Sequence, residues 1–184
     1  MIDNFHKVGE MDITLLLTNV DTLTSKVWGE DYWRQETFRV HQDTQTIPLV
    51  FDKCFEKPIK TEHYKMFETN LMPLESLLST HYGNGFTARL ILTKLKPKGV
   101  IPEHRDNGEC FEVSHRVHLP LITNDEVLFS VGEETITMQS GELWEINNTN
   151  RPHQVINMSD SERIHLIIDW EPYNGVSSGQ HTAL

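Results

Sequence analysis

The second half of the chain repeats one pattern, in which short apolar and β-branched runs are separated by turn residues. About eight such runs follow one another, at residues 86–95, 100–106, 113–122, 127–131, 135–138, 142–146, 153–156 and 163–170. Strands of this length at this rhythm are typical of a sandwich or a jelly-roll barrel. A small barrel of this kind encloses one ligand site. The sequence therefore predicts a mainly β fold around a single cavity.

Two of these runs carry side chains that could bind a metal ion. His104 and Asp106 lie two residues apart at the end of a predicted strand, so on an extended backbone both side chains leave the same face. His153 begins a later strand. Two histidines and one carboxylate are the ligand set that holds non-haem Fe(II) with open coordination positions. A bare His-x-Asp pair is common by chance, so this interpretation depends on His153 and Arg163 following in order.

Further side chains that can carry positive charge share strand faces in the same region. They are Arg116 and His118 on one strand and Arg163 and His165 on another. Both strands are too apolar to be merely solvated, and a buried cation requires an anionic partner. We therefore predict that these groups bind a dicarboxylate at the metal site. Ion pairs within the protein are the structural alternative, with Glu142, Glu145 or Asp169 as partners.

At these residues the chain resembles the aspartyl/asparaginyl β-hydroxylase-like family of Fe(II)- and 2-oxoglutarate-dependent dioxygenases, which includes bacterial proline hydroxylases. Four stretches carry the resemblance: IPEHRD, SHRVHLPLITN, GELWEINNTNRPHQVIN and RIHLIIDW. They cover somewhat under half of the chain. Some family members lack the acidic ligand, and Asp106 matches the members that keep it.

The resemblance implies a double-stranded β-helix, a cupin-like jelly roll with N-terminal flanking helices. His104, Asp106 and His153 would hold iron there and form the catalytic centre. The family's chemistry implies that 2-oxoglutarate and O2 are consumed, succinate is formed, and an amino acid or an amino-acid side chain in a peptide is hydroxylated.

The same resemblance assigns roles to the residues that would bind 2-oxoglutarate. Arg163, helped by the hydroxyl of Thr93, would bind the distal carboxylate. Arg116 and His118 would lie near the carboxylate on the metal side, and His165 shares the strand face of Arg163.

A non-oxidative barrel is the alternative, either a small-ligand binding module or a metal-dependent isomerase of the cupin type. Cupin metal sites usually carry a His-x-His pair followed by Glu, and neither residues 104–106 nor residues 115–118 show that spacing. The two hypotheses differ in whether the three ligand candidates converge and in whether Arg163 faces the same cavity.

The first 85 residues are predicted to form flanking strands and helices, with residues 1–60 acting as a lid or flank. Residues 13–17 fit either a strand or the start of a helix, whereas residues 38–41 alternate and residues 47–51 are strand-like, with Pro48 favouring an edge. Two helices are predicted at residues 61–71, capped by Thr61, and 74–79, with Pro73 in the first turn. Polar candidates for a substrate carboxylate in this part are Arg34, Arg39 and His41.

Composition narrows the class of protein and of partner. The formal net charge is −11 and no run of Lys or Arg occurs, which argues against nucleic acid and against an anionic membrane surface. Cys54 and Cys110 are too few for a disulfide framework, no apolar run approaches ~18 residues, and the first residues lack a signal-peptide pattern.

These observations predict a cytoplasmic protein with a small amino acid or peptide substrate. A chain of 184 residues is expected to form one domain, with a barrel core at residues 86–172 and a flexible tail at residues 173–184. The sequence indicates no particular oligomeric state.

Overall fold

A computed structural model describes residues 3–51, 57–107 and 109–173. Cys54, the side chain of Cys110 and residues 174–184 of the predicted tail lie outside this part of the chain. The described strands are β1 (Phe5–Glu10), β2 (Thr44–Phe51), β3 (Ile59–Lys60), β4 (Gly85–Leu95), β5 (Val100–His104), β6 (His115–Ile122), β7 (Val127–Val131), β8 (Glu134–Ile136), β9 (Glu142–Ile146), β10 (His153–Asn157) and β11 (Arg163–Pro172). The helices are α1 (Thr14–Asp21), α2 (Ser25–Trp28), α3 (Trp33–Thr37), a 3-10 turn (Arg39–His41), α4 (Tyr64–Tyr82) and α5 (Glu109–Glu112).

The strands form two antiparallel sheets that face each other. The larger sheet has the order β1-β9-β6-β11-β4-β2-β3, and the smaller has the order β5-β10-β7-β8. The eight strands from β4 to β11 supply four neighbours to each sheet, which is the arrangement of a jelly roll. The mainly β, jelly-roll prediction is therefore confirmed, and β1, β2 and β3 extend the larger sheet at its two edges.

Strand β11 lies at the centre of the larger sheet and is buried on both faces. Ile164, Leu166 and Ile168 point to an apolar core that also contains buried side chains of α1, α2 and α4. The alternate positions carry Arg163 and Asp169, which are also buried, because successive side chains of a strand point to opposite faces. One face of β11 thus packs against the helices, and the charged side chains of the other face point into the barrel.

Helix α4 differs from the two helices predicted for this segment. It is one continuous helix of 19 residues, and Pro73 lies inside it rather than in the first turn of a second helix. The apolar stripe that includes Phe67, Leu71, Leu74 and Leu78 is fully buried on both sides of the proline. Burial of that stripe outweighs the hydrogen bond that the proline removes.

The N-terminal segments also differ from expectation. Residues 13–17, for which the sequence left two possibilities, belong to α1, and the alternating residues 38–41 form a 3-10 turn rather than a strand. Thr61 does not cap α4, since its hydroxyl donates to the carbonyl of Pro48 at 2.8 Å. Strand β1 was not predicted; it pairs with β9 and so belongs to the larger sheet.

Among the described residues, no helix is both long enough and apolar enough to cross a membrane.

Truncation of the central strand should destabilise the fold strongly. Leu166 is 0% exposed, so Leu166→Ala should lower the free energy of unfolding by about 2–5 kcal/mol through lost burial and a cavity. Leu15 on α1 is 62% exposed, and the matched Leu15→Ala change should alter it by no more than about 0.5 kcal/mol. Urea denaturation measures both values, and similar values for the two variants would contradict this description of the core.

Candidate metal centre

The three predicted ligands meet at one end of the barrel. His104 ends β5 and lies directly opposite His153, which begins the neighbouring strand β10, so their ring centroids are 4.2 Å apart. Asp106 follows β5 in the next loop. Its carboxylate lies 4.0 Å from Nε2 of His104 and 3.8 Å from Nε2 of His153. One ligand atom from each residue lies within 4.8 Å of the others, which is close enough to surround a metal ion.

Backbone and side-chain hydrogen bonds fix the orientation of this triad. Nδ1 of His104 donates to the carbonyl of Pro102 at 2.8 Å, which leaves Nε2 as the unprotonated nitrogen that can bind a metal. Asn148 donates its side-chain amide to Oδ2 of Asp106 at 3.0 Å and accepts the backbone N–H of Asp106 at 3.1 Å. The donor set of two imidazoles and one carboxylate fits ferrous iron, because it leaves adjacent coordination positions open.

Asp169, on β11, connects the triad to the interior of the larger sheet. It is fully buried and accepts hydrogen bonds from Nε of Arg89 at 2.6 Å and from two nitrogens of Arg116 at 2.7 and 2.9 Å. The remaining nitrogen of Arg116 donates to Oδ2 of Asp106. The ring of Phe111 lies 4.9 Å from the Arg89 guanidinium and 4.6 Å from that of Arg116. Burial raises the pKa of Asp169, and Arg89 opposes that rise.

Arg163 lies deeper in the same cavity and has a different environment. Its side chain is 1% exposed, and Nη2 donates to Nδ1 of His165 at 2.5 Å. Within residues 3–51, 57–107 and 109–173, no carboxylate pairs with Arg163, and its Nε has no hydrogen-bond partner. Burial lowers the pKa of Arg163 to about 9. Thr93 and His118 line the cavity beside it.

The buried histidines of the cavity are neutral at physiological pH. Burial lowers the pKa of His153 to about 4, so its imidazole is in the form that binds metals. Burial, reinforced by the charge of Arg163, lowers the pKa values of His118 and His165 well below the usual 6.5. His41, whose ring centroid is 5.4 Å from that of His104, has its pKa lowered by burial to about 2.

A wider pocket of about 570 Å³ opens outward from the end of the cavity that carries His104 and Asp106. Arg34, His41, His104 and Asp106 line both the cavity and the outer pocket. Trp33, Phe38 and Phe51 form an aromatic cluster at the outer pocket, with centroid distances of 5.8 Å and 5.6 Å from Trp33 to the other two. A ligand that reached the triad from solvent would pass this cluster.

The structure brings most of the predicted site residues together. His104, Asp106, His153, Arg163, Thr93, Arg116 and His118 all line one cavity, with His165 bonded to Arg163. The structural alternative also holds in one case, because Arg116 is paired with Asp169 and Asp106. Of the three N-terminal candidates, Arg34 and His41 line the cavity, whereas Arg39 is exposed at the outer pocket.

Three groups of the site were missed from the sequence: Arg89, Asn148 and Phe111. Alternation along residues 86–95 gave a usable signal for Arg89, since Arg89 and Thr93 lie on the same face of that strand. Asn148 lies in a loop and Phe111 in the four-residue helix α5, and both segments are too short or irregular for periodicity to indicate which way a side chain points.

Comparison with known proteins shows which family the chain and its fold belong to. The chain matches the aspartyl/asparaginyl beta-hydroxylase family over residues 24–172. The L-proline cis-4-hydroxylase of Rhizobium meliloti (strain 1021) is 29% identical over 98 residues, which cover 53% of this chain and 35% of that protein. The match thus spans about a third of that relative's length.

Two solved structures superpose over most of the chain. An oxidoreductase of the 2OG-Fe(II) oxygenase family from Burkholderia pseudomallei has a TM-score of 0.59 at 16% identity, covering 73% of this chain and 71% of that one. The viral collagen prolyl hydroxylase of Paramecium bursaria Chlorella virus-1, solved as a 2OG complex, has a TM-score of 0.61 at 8% identity, covering 92% and 96%. The fold is therefore the jelly roll found in these oxygenases. Within that class, the chain belongs to the aspartyl/asparaginyl beta-hydroxylase family.

Removal of the Asp169 carboxylate should take away the buried anion that Arg89 and Arg116 share. Asp169→Asn should lower the free energy of unfolding by about 3–5 kcal/mol, since one member of a buried ion pair is lost. Glu162 is 44% exposed and pairs with Lys94 at 3.1 Å, so the matched Glu162→Gln change should cost about 0–1 kcal/mol. Urea denaturation compares the two, and a loss below about 1 kcal/mol for Asp169→Asn would contradict the role given to this pair.

Because these buried histidines are neutral in the folded state, we expect the free energy of unfolding to decrease at acidic pH. Below about pH 6.5 the unfolded chain binds protons at His118 and His165 that the folded chain does not, so stability falls as the pH falls. Each histidine contributes up to about 1.4 kcal/mol per pH unit. Urea denaturation with a chelator at about pH 7.5 and pH 5.5 measures the loss. His118→Phe should show a smaller loss than the unmodified protein, and equal losses would contradict the assignment.

Proposed function

We propose that this protein is an Fe(II)- and 2-oxoglutarate-dependent oxygenase that hydroxylates an amino acid, free or within a peptide. One observation carries the proposal. The two histidines and the aspartate converge at one end of a cavity, and the buried cation Arg163, without a carboxylate partner among the described residues, lies farther inside it. This combination suits a ligand with two functional ends. One end would bind the metal, and a carboxylate at the other end would bind the Arg163 guanidinium.

The residues fit the two functional ends of 2-oxoglutarate. The keto acid end would occupy the open positions beside His104 and His153. The distal carboxylate would accept hydrogen bonds from Arg163, whose planar guanidinium is suited to two-point recognition of a carboxylate. The hydroxyl of Thr93, on the neighbouring strand β4, is placed to donate to the same carboxylate. Such a partner would supply the anion that buried Arg163 otherwise lacks.

When bound, ferrous iron supplies the activation of O2 that couples oxidative decarboxylation of 2-oxoglutarate to hydroxylation of a C–H bond. In the overall balance, 2-oxoglutarate, O2 and the substrate R–H become succinate, CO2 and R–OH, with one oxygen atom in succinate and one in the product. The protein positions the reactants and excludes water. His118 and Phe129 take part in that exclusion, since both are buried in the cavity wall with rings 5.1 Å apart.

A cupin-type isomerase or binding module would require different residues at the site. An isomerase or binding module needs neither a carboxylate anchor deep in the cavity nor a metal with several open positions. Convergence of His104, Asp106 and His153, with Arg163 in the same cavity, supports the oxygenase instead. The name of the relative from Rhizobium meliloti supports an amino-acid substrate.

Other properties follow as proposals from the sequence. The acidic charge of −11 and the lack of a basic run favour a small molecule or peptide over nucleic acid or membrane. The cytoplasmic location, and the single domain with parts at residues 1–85, 86–172 and 173–184, stay predictions.

Metal and co-substrate binding test the proposal through separate residues. Under anaerobic conditions calorimetry should show that the protein binds Mn(II) and then 2-oxoglutarate. Asp106→Ala should lose metal binding, whereas Arg163→Gln should keep the metal and bind 2-oxoglutarate at least about 30-fold more weakly. Exposed Arg39 provides the matched control, because Arg39→Gln makes the same charge change outside the cavity.

Turnover completes the test. With Fe(II) and ascorbate the unmodified protein should release succinate from 2-oxoglutarate, and Asp106→Ala and His153→Ala should not. An unmodified protein that binds neither Fe(II) nor 2-oxoglutarate would exclude the oxygenase.

A further inference from the structure

Arg34 occupies a position that the binding of metal and co-substrate does not explain. It lies on α3, and its side chain reaches the boundary between the inner cavity and the outer pocket, because it lines both. Its only hydrogen bond among the described residues is a long one, from Nη1 to the hydroxyl of Thr93 at 3.4 Å. Arg34 therefore presents most of its donors to the space above the triad.

Within the residues that the structure describes, the charge of Arg34 also has no ion-pair partner. Arg89 and Arg116, two other arginines of the site, are both bonded to Asp169. No carboxylate in the described part of the chain forms an ion pair with Arg34. Partial burial lowers the pKa of Arg34 to about 10 and the positive charge of Arg89 adds to that effect, whereas Asp106 and Asp169 act in the opposite direction. A partly buried cation of this kind is stabilised when an anion binds directly beside it.

The carboxylates of 2-oxoglutarate do not account for this anion. In the proposed function one of them lies at the metal and the other at Arg163. Arg163 lines only the inner cavity, whereas Arg34 also lines the outer pocket from which a second ligand would arrive. Arg163 and Arg34 form no ion pair with a carboxylate of the described residues, and they lie at different depths of one site. They therefore indicate two separate anionic groups.

The surroundings of Arg34 on the outer side indicate the rest of that ligand. Trp33 precedes it on α3 and contacts Phe38 and Phe51 edge to face. Trp33 and Phe38 keep 38% and 48% of their surface exposed, so the cluster offers apolar surface beside Arg34 that a ligand could cover. A guanidinium beside an aromatic cluster suits a molecule with a carboxylate on an apolar body.

We propose that Arg34 binds the carboxylate of the substrate, and that the substrate is an apolar amino acid whose own carboxylate is free. This inference rests on the proposed function and deepens it, because it selects a free amino acid, or the last residue of a short peptide, over a side chain within a chain. An amide at the same position would leave Arg34 desolvated without an anion, and an interior peptide residue has no carboxylate to offer.

Co-substrate binding provides the first test, since Arg34 could instead be a second donor to 2-oxoglutarate through Thr93. Calorimetry with the Mn(II)-loaded protein should give 2-oxoglutarate affinities within about 3-fold of each other for the unmodified protein, Arg34→Gln and Arg39→Gln. A loss of about 30-fold or more in Arg34→Gln alone would assign Arg34 to the co-substrate and overturn the proposal.

Substrate binding provides the second test. The probes are the twenty free amino acids, their N-acetyl derivatives and the corresponding amides, each added to the Mn(II) and 2-oxoglutarate complex. Calorimetry should detect at least one apolar free carboxylate, with its amide bound at least about 30-fold more weakly. Arg34→Gln should lose this preference and Arg34→Lys should retain part of it. Lys65→Gln should retain it fully, since exposed Lys65 on α4 carries the same charge and lines neither the cavity nor the outer pocket.

Several results would overturn the inference. They are equal binding of an amide and its acid, no binding by any probe, and a preference that survives Arg34→Gln. A preference lost equally in Lys65→Gln would show a general charge effect and would overturn it too. None of these results affects metal binding, 2-oxoglutarate binding or succinate release by the unmodified protein, so failure here is distinguishable from failure of the proposed function.

Discussion

The buried carboxylate of Asp169 positions the side chains around the candidate metal ligands. It is fully buried on the central strand, accepts hydrogen bonds from Arg89 and Arg116, and through Arg116 reaches Asp106. Either the carboxylate or the guanidinium groups alone would be costly to bury. The Asp169 carboxylate and the two guanidinium groups therefore stabilise each other in the interior. Through Arg116 this ion-pair network also holds Asp106 in place, although Asp106 lies in a loop. Asn148 holds it from the opposite loop.

The barrel was predictable from the sequence, and the N-terminal part was predictable only in places. Strands β4 to β11 have β-branched runs and turn residues that agree with their final environment, so local pattern and tertiary structure coincide. Helix α4 shows where they differ, because burial of one apolar stripe outweighs the local effect of Pro73. Strand β1 pairs with β9 at the edge of the larger sheet, about 135 residues away, and nothing in its own six residues indicates that partner.

The candidate site divides in the same way. Residue type, order and strand position were enough to bring His104, Asp106, His153 and Arg163 together, since alternation along a strand fixes which side chains share a face. The same alternation placed Asp169 on the face of Arg163, where the sequence suggested it only as a possible ion-pair partner. The position of Arg34 was beyond such reasoning, because α3 is a five-residue helix whose orientation depends on tertiary contacts, among them that of Arg34 with Thr93 on β4.

The division of the site between the two sheets has a mechanical consequence. His104 and His153 belong to the smaller sheet, whereas Arg163 belongs to the larger one. A molecule bound at one end to the metal and at the other to Arg163 would therefore link the two sheets. Its binding energy would resist their separation, adding about 2.7 kcal/mol to stability at a concentration 100 times its Kd. In this protein the occupancy of the site and the rigidity of the barrel would rise and fall together.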